Sequence, residues 1–148
     1  MIAAHVAGVP VEELLPLAQA VLLDSVEEAV PEEALRRARE LSGQAYVVDL
    51  AWLRSTPWRE RVAASFDPAA RRRELGTITG VTVRHHPASQ AAALLLVGWL
   101  GSRLGWRPDR FVAAGSGFRS SAHGRRQDVQ LCLEPVAEQS VPGLAGMQ

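Results

Sequence analysis

The chain contains no lysine, no asparagine and a single cysteine, Cys132. One thiol excludes an intrachain disulfide and any cluster of cysteine metal ligands. Without lysine, all sixteen basic residues are arginines, and sixteen acidic residues balance them. A net charge of zero argues against a general nucleic-acid-binding surface, which needs a basic excess to neutralise phosphates. All-arginine usage is what a GC-rich genome produces, although arginine also suits carboxylate and phosphate pairing better than lysine. Long apolar runs are missing as well. The longest, Ala91–Leu100, falls well short of the roughly 20 residues that cross a bilayer. Met1–His5 lacks the basic segment and apolar stretch of a secretory signal, so the expected compartment is the cytoplasm. A length of 148 residues fits one domain, 1–148, with a substantial core.

Aromatics are scarce, at 5%, so their placement is informative. Two of the four tryptophans, Trp52 and Trp58, lie in the segment Asp49–Glu60 beside Arg54 and Arg59. Thr56 followed by Pro57 is a helix-start signal, because the hydroxyl can accept from an early amide and proline has none to leave unpaired. Two large aromatics thus flank a strand-to-helix corner. Aromatic and arginine side chains are the usual anchors of protein interfaces.

Hydrophobic periodicity sets the expected elements. Val11–Leu17 has a helical bias weakened by Pro16, and Ala20–Leu23 reads as a buried strand ending in Asp24 and Ser25. Pro31–Leu41 is a helix with Glu32 and Glu33 at its start and arginines later, matching its dipole. Tyr46–Leu50 is a second strand, and this strand–helix–strand spacing argues for a parallel crossover. Pro57–Phe66 is a helix with Trp58, Val62 and Phe66 on one face, followed by a short arginine-rich helix to Leu75. Thr77–Arg84 reads as a strand with its alternation shifted at Gly80, the mark of a bulge. Ala88–Leu104 is apolar almost all round, as expected of a helix covered on both sides. Phe111–Ala113 and Asp128–Glu134 are further strands, Gly115–Gly124 a flexible loop that extends to residue 126, and Pro142–Gly146 a turn opening another strand. The expected fold is α/β, a mixed sheet of about four to six strands with helices packed on it, parallel early and antiparallel late.

Few residues carry a catalytic signature. No Gly-x-Ser-x-Gly occurs, and Cys132 lies mid-strand without a local histidine. The carboxylate pairs Glu12–Glu13, Glu27–Glu28 and Glu32–Glu33 lie at polar helix starts, where solvated charge is the expected role. His85 and His86 are adjacent near a strand end, so they face apart and cannot share a metal. His5 and His123 form no motif with them. Asp24 and Asp49 both close buried strands, where α/β domains place ligand-binding groups. Capping is the commoner use of such residues. Asp49 is expected to pair with Arg54 or Arg59. The stretch Gly115–Arg126 has anion-binding chemistry in Arg119, Arg125 and Arg126, with glycines that free backbone amides. Its spacing fits neither phosphate-loop pattern, and a mobile hairpin loop is the simpler reading. Gly98, Gly101 and Gly105 form a smooth helical stripe for close packing within the domain. Trp99 and Trp106, seven apart, read as core and rim.

Three segments carry a family resemblance. Asp49–Glu60, Ala92–Trp106 and the strand Ala20–Ser25, in this order and separation, resemble the glucose-6-phosphate dehydrogenase assembly proteins called OpcA. The resemblance implies a non-catalytic protein without cofactor or metal that binds glucose-6-phosphate dehydrogenase, with Trp52, Arg54, Trp58 and Arg59 forming or bracing the contact surface. It also implies that the chain corresponds to the C-terminal-domain portion of the family, whose members carry a separate domain before it and continue past residue 146. Redox control attached to some relatives would need an internal disulfide, which a lone Cys132 cannot make. The alternative from the residues themselves is a small binding domain for a phosphorylated metabolite or nucleotide, built on the Asp24 and Asp49 strand ends or on Arg119–Arg126.

Overall fold

The computed structural model describes residues 2–4, 15–26, 28 and 30–148. His5, Glu12, Glu13, Glu27 and most of the expected first helix lie outside the described residues. The described end of that helix, Leu15–Leu17, is a short 3-10 turn.

The first half of the chain builds a small parallel sheet. Strands β1 (Ile2–Ala4), β2 (Ala20–Leu23) and β3 (Tyr46–Asp49) are parallel, in that order. Helix α1 (Pro31–Leu41) supplies the crossover from β2 to β3. Its boundaries follow from local chemistry. Proline opens the first turn, Glu32 and Glu33 face the positive end of the dipole, and Arg39 lies in the last turn. Arg36 adds a 2.8 Å pair to Glu40 one turn on. Leu15, Val21, Leu23 and Leu41 form the core of this unit.

After β3 the chain turns straight into α2 (Leu50–Arg54) and, one residue later, α3 (Thr56–Ser65). The strand expected to run to Leu50 therefore stops at Asp49, and the corner is a helix–helix joint centred on Ser55. The expected arginine-rich helix is α4 (Ala69–Arg72), followed by a 3-10 turn over Glu74–Thr77.

The second half builds a mixed sheet from β4 (Gly80–His85), β5 (Arg107–Pro108), β6 (Val112–Ala114), β7 (Gly117–His123), β8 (Asp128–Pro135) and β9 (Leu144–Met147). Its order is β5-β7-β8-β4-β9, with β6 also paired to β7. β4 and β8 are parallel, and the other pairs are antiparallel. The α/β class and the change from parallel to antiparallel pairing are as expected, with the strands divided between two sheets. β4 starts at Gly80, because Thr77 is already in the 3-10 turn. The irregularity expected at Gly80 falls between Arg84 and His85, where β9 shifts register.

Gly115–Gly124 is not a flexible loop. Only Gly115 and Ser116 form a turn, and Gly117–His123 is β7, an interior strand of the sheet. Its glycines and serines resemble loop composition but serve close packing. A methyl group at Gly117 would run into the Leu133 carbonyl oxygen. Ser120 and Ala122 are buried, and the Ser120 hydroxyl donates to the Asp109 carbonyl at 2.9 Å. At the strand's end His123 lies 2.9 Å from Asp128 and 3.5 Å from Asp109. The hydrogen bond to Asp128, then the charges of Asp109 and Asp128, raise its pKa above the usual 6.5.

Helix α5 (Gln90–Leu104) joins the two halves. Leu96, Val97 and Leu100 pack on Val81, Val83, Val129, Leu131 and Leu133 of the mixed sheet. The helix also meets α1 and α2, which accounts for its nearly continuous apolar sequence. Its glycines do not form one packing stripe. Gly101 is buried against Trp106 and Pro108, Gly105 ends the helix at φ 70°, and Gly98 is exposed with open space where a side chain would sit. Trp106 accordingly lies beyond the helix, while Trp99 packs on the core from within it. Gly98→Ala is therefore expected to stabilise the fold by about 0.5–1 kcal/mol, because only the backbone entropy of a helical glycine is removed. Thermal denaturation would register this as a rise in Tm of about 2 °C.

Candidate partner-binding corner and an arginine cleft

Parallel pairing sets up the first site. In register, Leu23 lies opposite Asp49, so β2 and β3 end at the same level and deliver Asp24, Ser25 and Asp49 side by side. Asp49 is buried, and a single carboxylate oxygen, Oδ1, serves three donors. The amide of Ala51 donates at 2.8 Å, the hydroxyl of Ser25 at 3.2 Å and the amide of Ser25 at 3.5 Å. Asp49 is thus the N-cap of α2 and a clamp between two strand ends.

The expected pairing of Asp49 with Arg54 or Arg59 does not occur among these contacts. Arg54 instead forks onto Asp24, with Nη1 donating to Oδ1 at 2.9 Å and Nη2 to Oδ2 at 2.6 Å. Asp24 also accepts from the Val26 amide at 3.3 Å. The swap follows from depth. Asp49 is closed off by its three donors, whereas Asp24 sits one position past the strand and reaches the surface where Arg54 leaves α2.

Burial pushes the Asp24 carboxyl upward, but the hydrogen bonds from Arg54 and Val26 and the Arg54 charge outweigh it, leaving its pKa below the ordinary 3.8. A depressed carboxyl stabilises the fold above its unfolded value, and that contribution is lost as pH falls through the folded one. Unfolding experiments below pH 3.8 should therefore show a steeper loss of stability in the parent than in Asp24→Asn. Equal slopes would show that the fork contributes nothing.

Arg59 does something different. Its guanidinium carbon lies 3.5 Å from the centroid of the Trp52 ring. Its nitrogens donate to the Thr56 hydroxyl at 2.7 Å, the Ser55 hydroxyl at 3.2 Å and the Trp52 carbonyl at 3.4 Å. The Thr56 side chain, expected as a cap, serves Arg59, and α3 begins without a side-chain cap. Trp52 and Arg59 therefore brace the joint, through a stack of a kind that contributes about 0.5–2 kcal/mol.

Trp58 and Arg54 face outward into a cleft of about 520 Å³ with Asp24, Ala92 and, on the far wall, Pro142, Gly143 and Leu144. Trp58 is half-buried, and Leu53 of α2 is an exposed leucine. Of the four residues singled out in the sequence, two line this cleft and two hold its frame. The far wall comes from a segment about 85 residues away in the chain, which periodicity could not have connected to it.

His85 is buried near the end of β4. Its Nδ1 lies 2.8 Å from the His86 carbonyl, and burial pushes its pKa down, which favours the neutral ring. His86 caps the following turn by accepting from the Ala88 amide at 3.1 Å. Among the described residues no cluster of three or more His, Cys, Asp or Glu could hold a metal ion.

A second cleft, of about 570 Å³, opens on the opposite end of α5. It collects Arg72 and Arg73 from the end of α4, Arg103 from the last turn of α5, and Arg125 and Arg126 from the β7–β8 turn, around Trp106. Arg119, grouped with Arg125 and Arg126 in the sequence, lies on β7 and does not line it. The run Arg71–Arg73 is visible in the sequence as a polar helical stretch, but only the tertiary fold sets it opposite the hairpin.

Residues 45–144, which hold both β3 and the far wall of the Trp58 cleft, match the OpcA profile for the C-terminal domain of a glucose-6-phosphate dehydrogenase subunit. The chain belongs to that family. Three curated relatives carry the provisional name OxPP cycle protein OpcA. The one from Synechococcus elongatus is 32% identical over 108 residues, covering 72% of this chain and 24% of the relative. The Synechocystis sp. protein is 35% identical over 98 residues, 66% of this chain and 21% of the relative. The Nostoc punctiforme protein is 37% identical over 134 residues, 86% of this chain and 29% of the relative. This OpcA-family chain thus spans about a quarter of the length of the curated relatives it matches. The family match encloses the whole joint from Asp49 to Trp58, α5 and both walls of the Trp58 cleft except Asp24 and Val26. Among the described residues no helix is long and apolar enough to cross a membrane.

Proposed function

We propose that this OpcA-family chain is a non-catalytic accessory module that binds glucose-6-phosphate dehydrogenase and alters its assembly or activity, in service of the oxidative pentose phosphate pathway. The observation that carries the reading is the family match over residues 45–144, whose family description names that dehydrogenase. The corner within it has the composition of an interface anchor: a half-buried tryptophan, a charged fork and, on α2, the exposed Leu53. A non-catalytic role is supported by the tasks already taken by its polar groups. Asp49 caps a helix, Asp24 holds Arg54, and Cys132 lies within a strand opposite Thr82 and Arg119.

The test is co-purification of this chain with the dehydrogenase of the same organism, with activity and oligomer size measured in its presence and absence. A stoichiometric complex with altered turnover or oligomer size is the expected result. A folded chain that neither binds the dehydrogenase nor changes it would overturn the proposal.

A further inference from the structure

The arginine cleft is the strongest unassigned feature of the molecule. The chain as a whole is neutral, yet five of its sixteen arginines line one cavity. No aspartate or glutamate lines that cavity. Among the described residues, none of the five has a carboxylate within ion-pair distance. Arg72 donates its Nε to the Asp67 carbonyl at 3.0 Å, which orients the side chain without neutralising it. Helix α5 ends here, but a helix C-terminus offers only about half a negative charge. Five guanidinium groups facing one helix end remain strongly under-compensated.

The cleft is also preorganised. The Gly124 amide donates to the Gln127 carbonyl at 3.2 Å, closing the turn that carries Arg125 and Arg126. Gln127 then donates to the Ile78 carbonyl at 3.0 Å and ties that turn to the strand entrance on the other side. Gly76 lets the Arg126 guanidinium lie against the backbone, since a methyl there would sit 3.1 Å from Nη1. Ile78, Leu104 and buried Val129 supply an apolar floor next to Trp106. A cavity of about 570 Å³ is in the range of sites that enclose a small organic ligand. Planar guanidinium groups match phosphoryl oxygens two at a time, and an indole face accepts a flat or apolar body.

We propose that this cleft binds a small organic phosphate carrying at least two negative charges, its phosphoryl groups held by Arg72, Arg73, Arg103, Arg125 and Arg126 and its body against Trp106. Volume and floor favour a small molecule over inorganic anion alone. An acidic peptide spreads its carboxylates along an extended chain, whereas the five arginines line a single cavity. Both a nucleotide and a sugar bisphosphate have this chemistry, and the proposal stands apart from the binding of the dehydrogenase at the Trp58 corner.

The experiment is calorimetric titration of the full chain at low salt with adenosine triphosphate, with a hexose bisphosphate, with inorganic phosphate at matched ionic strength, and with a polyglutamate peptide. One of the two organic phosphates is expected to bind more tightly than inorganic phosphate, and the tighter one identifies the source. Arg125→Gln combined with Arg126→Gln should weaken it at least about tenfold. Arg36→Gln with Arg39→Gln, which removes the same charge from α1, should not. Circular dichroism checks folding, and Arg103→Gln provides an independent variant if the turn is disturbed. Absence of binding by either organic phosphate, binding no tighter than inorganic phosphate, equal loss in the α1 control, or binding of the peptide alone would each overturn the proposal.

Discussion

Trp58→Ala is expected to weaken association with glucose-6-phosphate dehydrogenase by at least about 2 kcal/mol, roughly a 30-fold rise in Kd, while leaving the fold intact. The expectation separates the residue's two surroundings. α3 contains no fully buried residue, so truncating one of its side chains removes little of the core. The same truncation empties the wall of the cleft shared with Arg54 and Leu144. Binding measured by titration alongside thermal denaturation distinguishes the outcomes. Loss of stability without a separate loss of affinity in the folded fraction would assign Trp58 to packing and remove it from the contact surface. Trp52→Ala should behave in the opposite sense. It strips Arg59 of its stacking partner and should loosen the α2–α3 joint before it affects any contact.

The second large effect is expected at Asp49. Replacing it with alanine removes the cap of α2 and strands a buried hydroxyl and two amides that share one carboxylate oxygen. A lost cap costs about 1 kcal/mol and a buried group left unpaired a further 1–3. A destabilisation of about 3 kcal/mol and a fall in Tm of roughly 6–12 °C are therefore expected. Asp49→Asn retains the oxygen and is nearly as good a cap, so it should lose far less. If the two variants melt together, the charge rather than the acceptor geometry is what the site requires.

These two positions also show how far the residues alone reveal the molecule. α1 and α5 are legible to within two residues, because proline, charge order and apolar period all act locally. The parallel crossover from β2 to β3 follows from the same local signals. β7 is not legible, since Ser120 and Ala122 are chosen for closeness to neighbouring strands and that need is invisible in a one-dimensional pattern. The Trp52–Arg59 segment stands out as an anchor, but its charge partner is misassigned. Arg54 meets Asp24 thirty residues earlier, a contact that exists only because parallel strands end level. The arginine cleft is the extreme case, since three separated chain segments contribute cations and only the Arg125–Arg126 segment is marked as anion-binding in the sequence.

Helix α5 has a further consequence. Ala92 near its start lines the Trp58 cleft, and Arg103 near its end lines the arginine cleft. Eleven residues at a rise of 1.5 Å set these points about 17 Å apart along a rigid rod. A small phosphate held on the five arginines stops short of the Trp58 cleft, whereas a protein partner, with a footprint of about 800 Å² and hence roughly 30 Å across, is wide enough to reach both. Competition assays between a protein partner and an anion would consequently report whether the partner's footprint extends over the arginine cleft. The informative species is the ternary complex, and simultaneous occupancy is the condition under which to look for it.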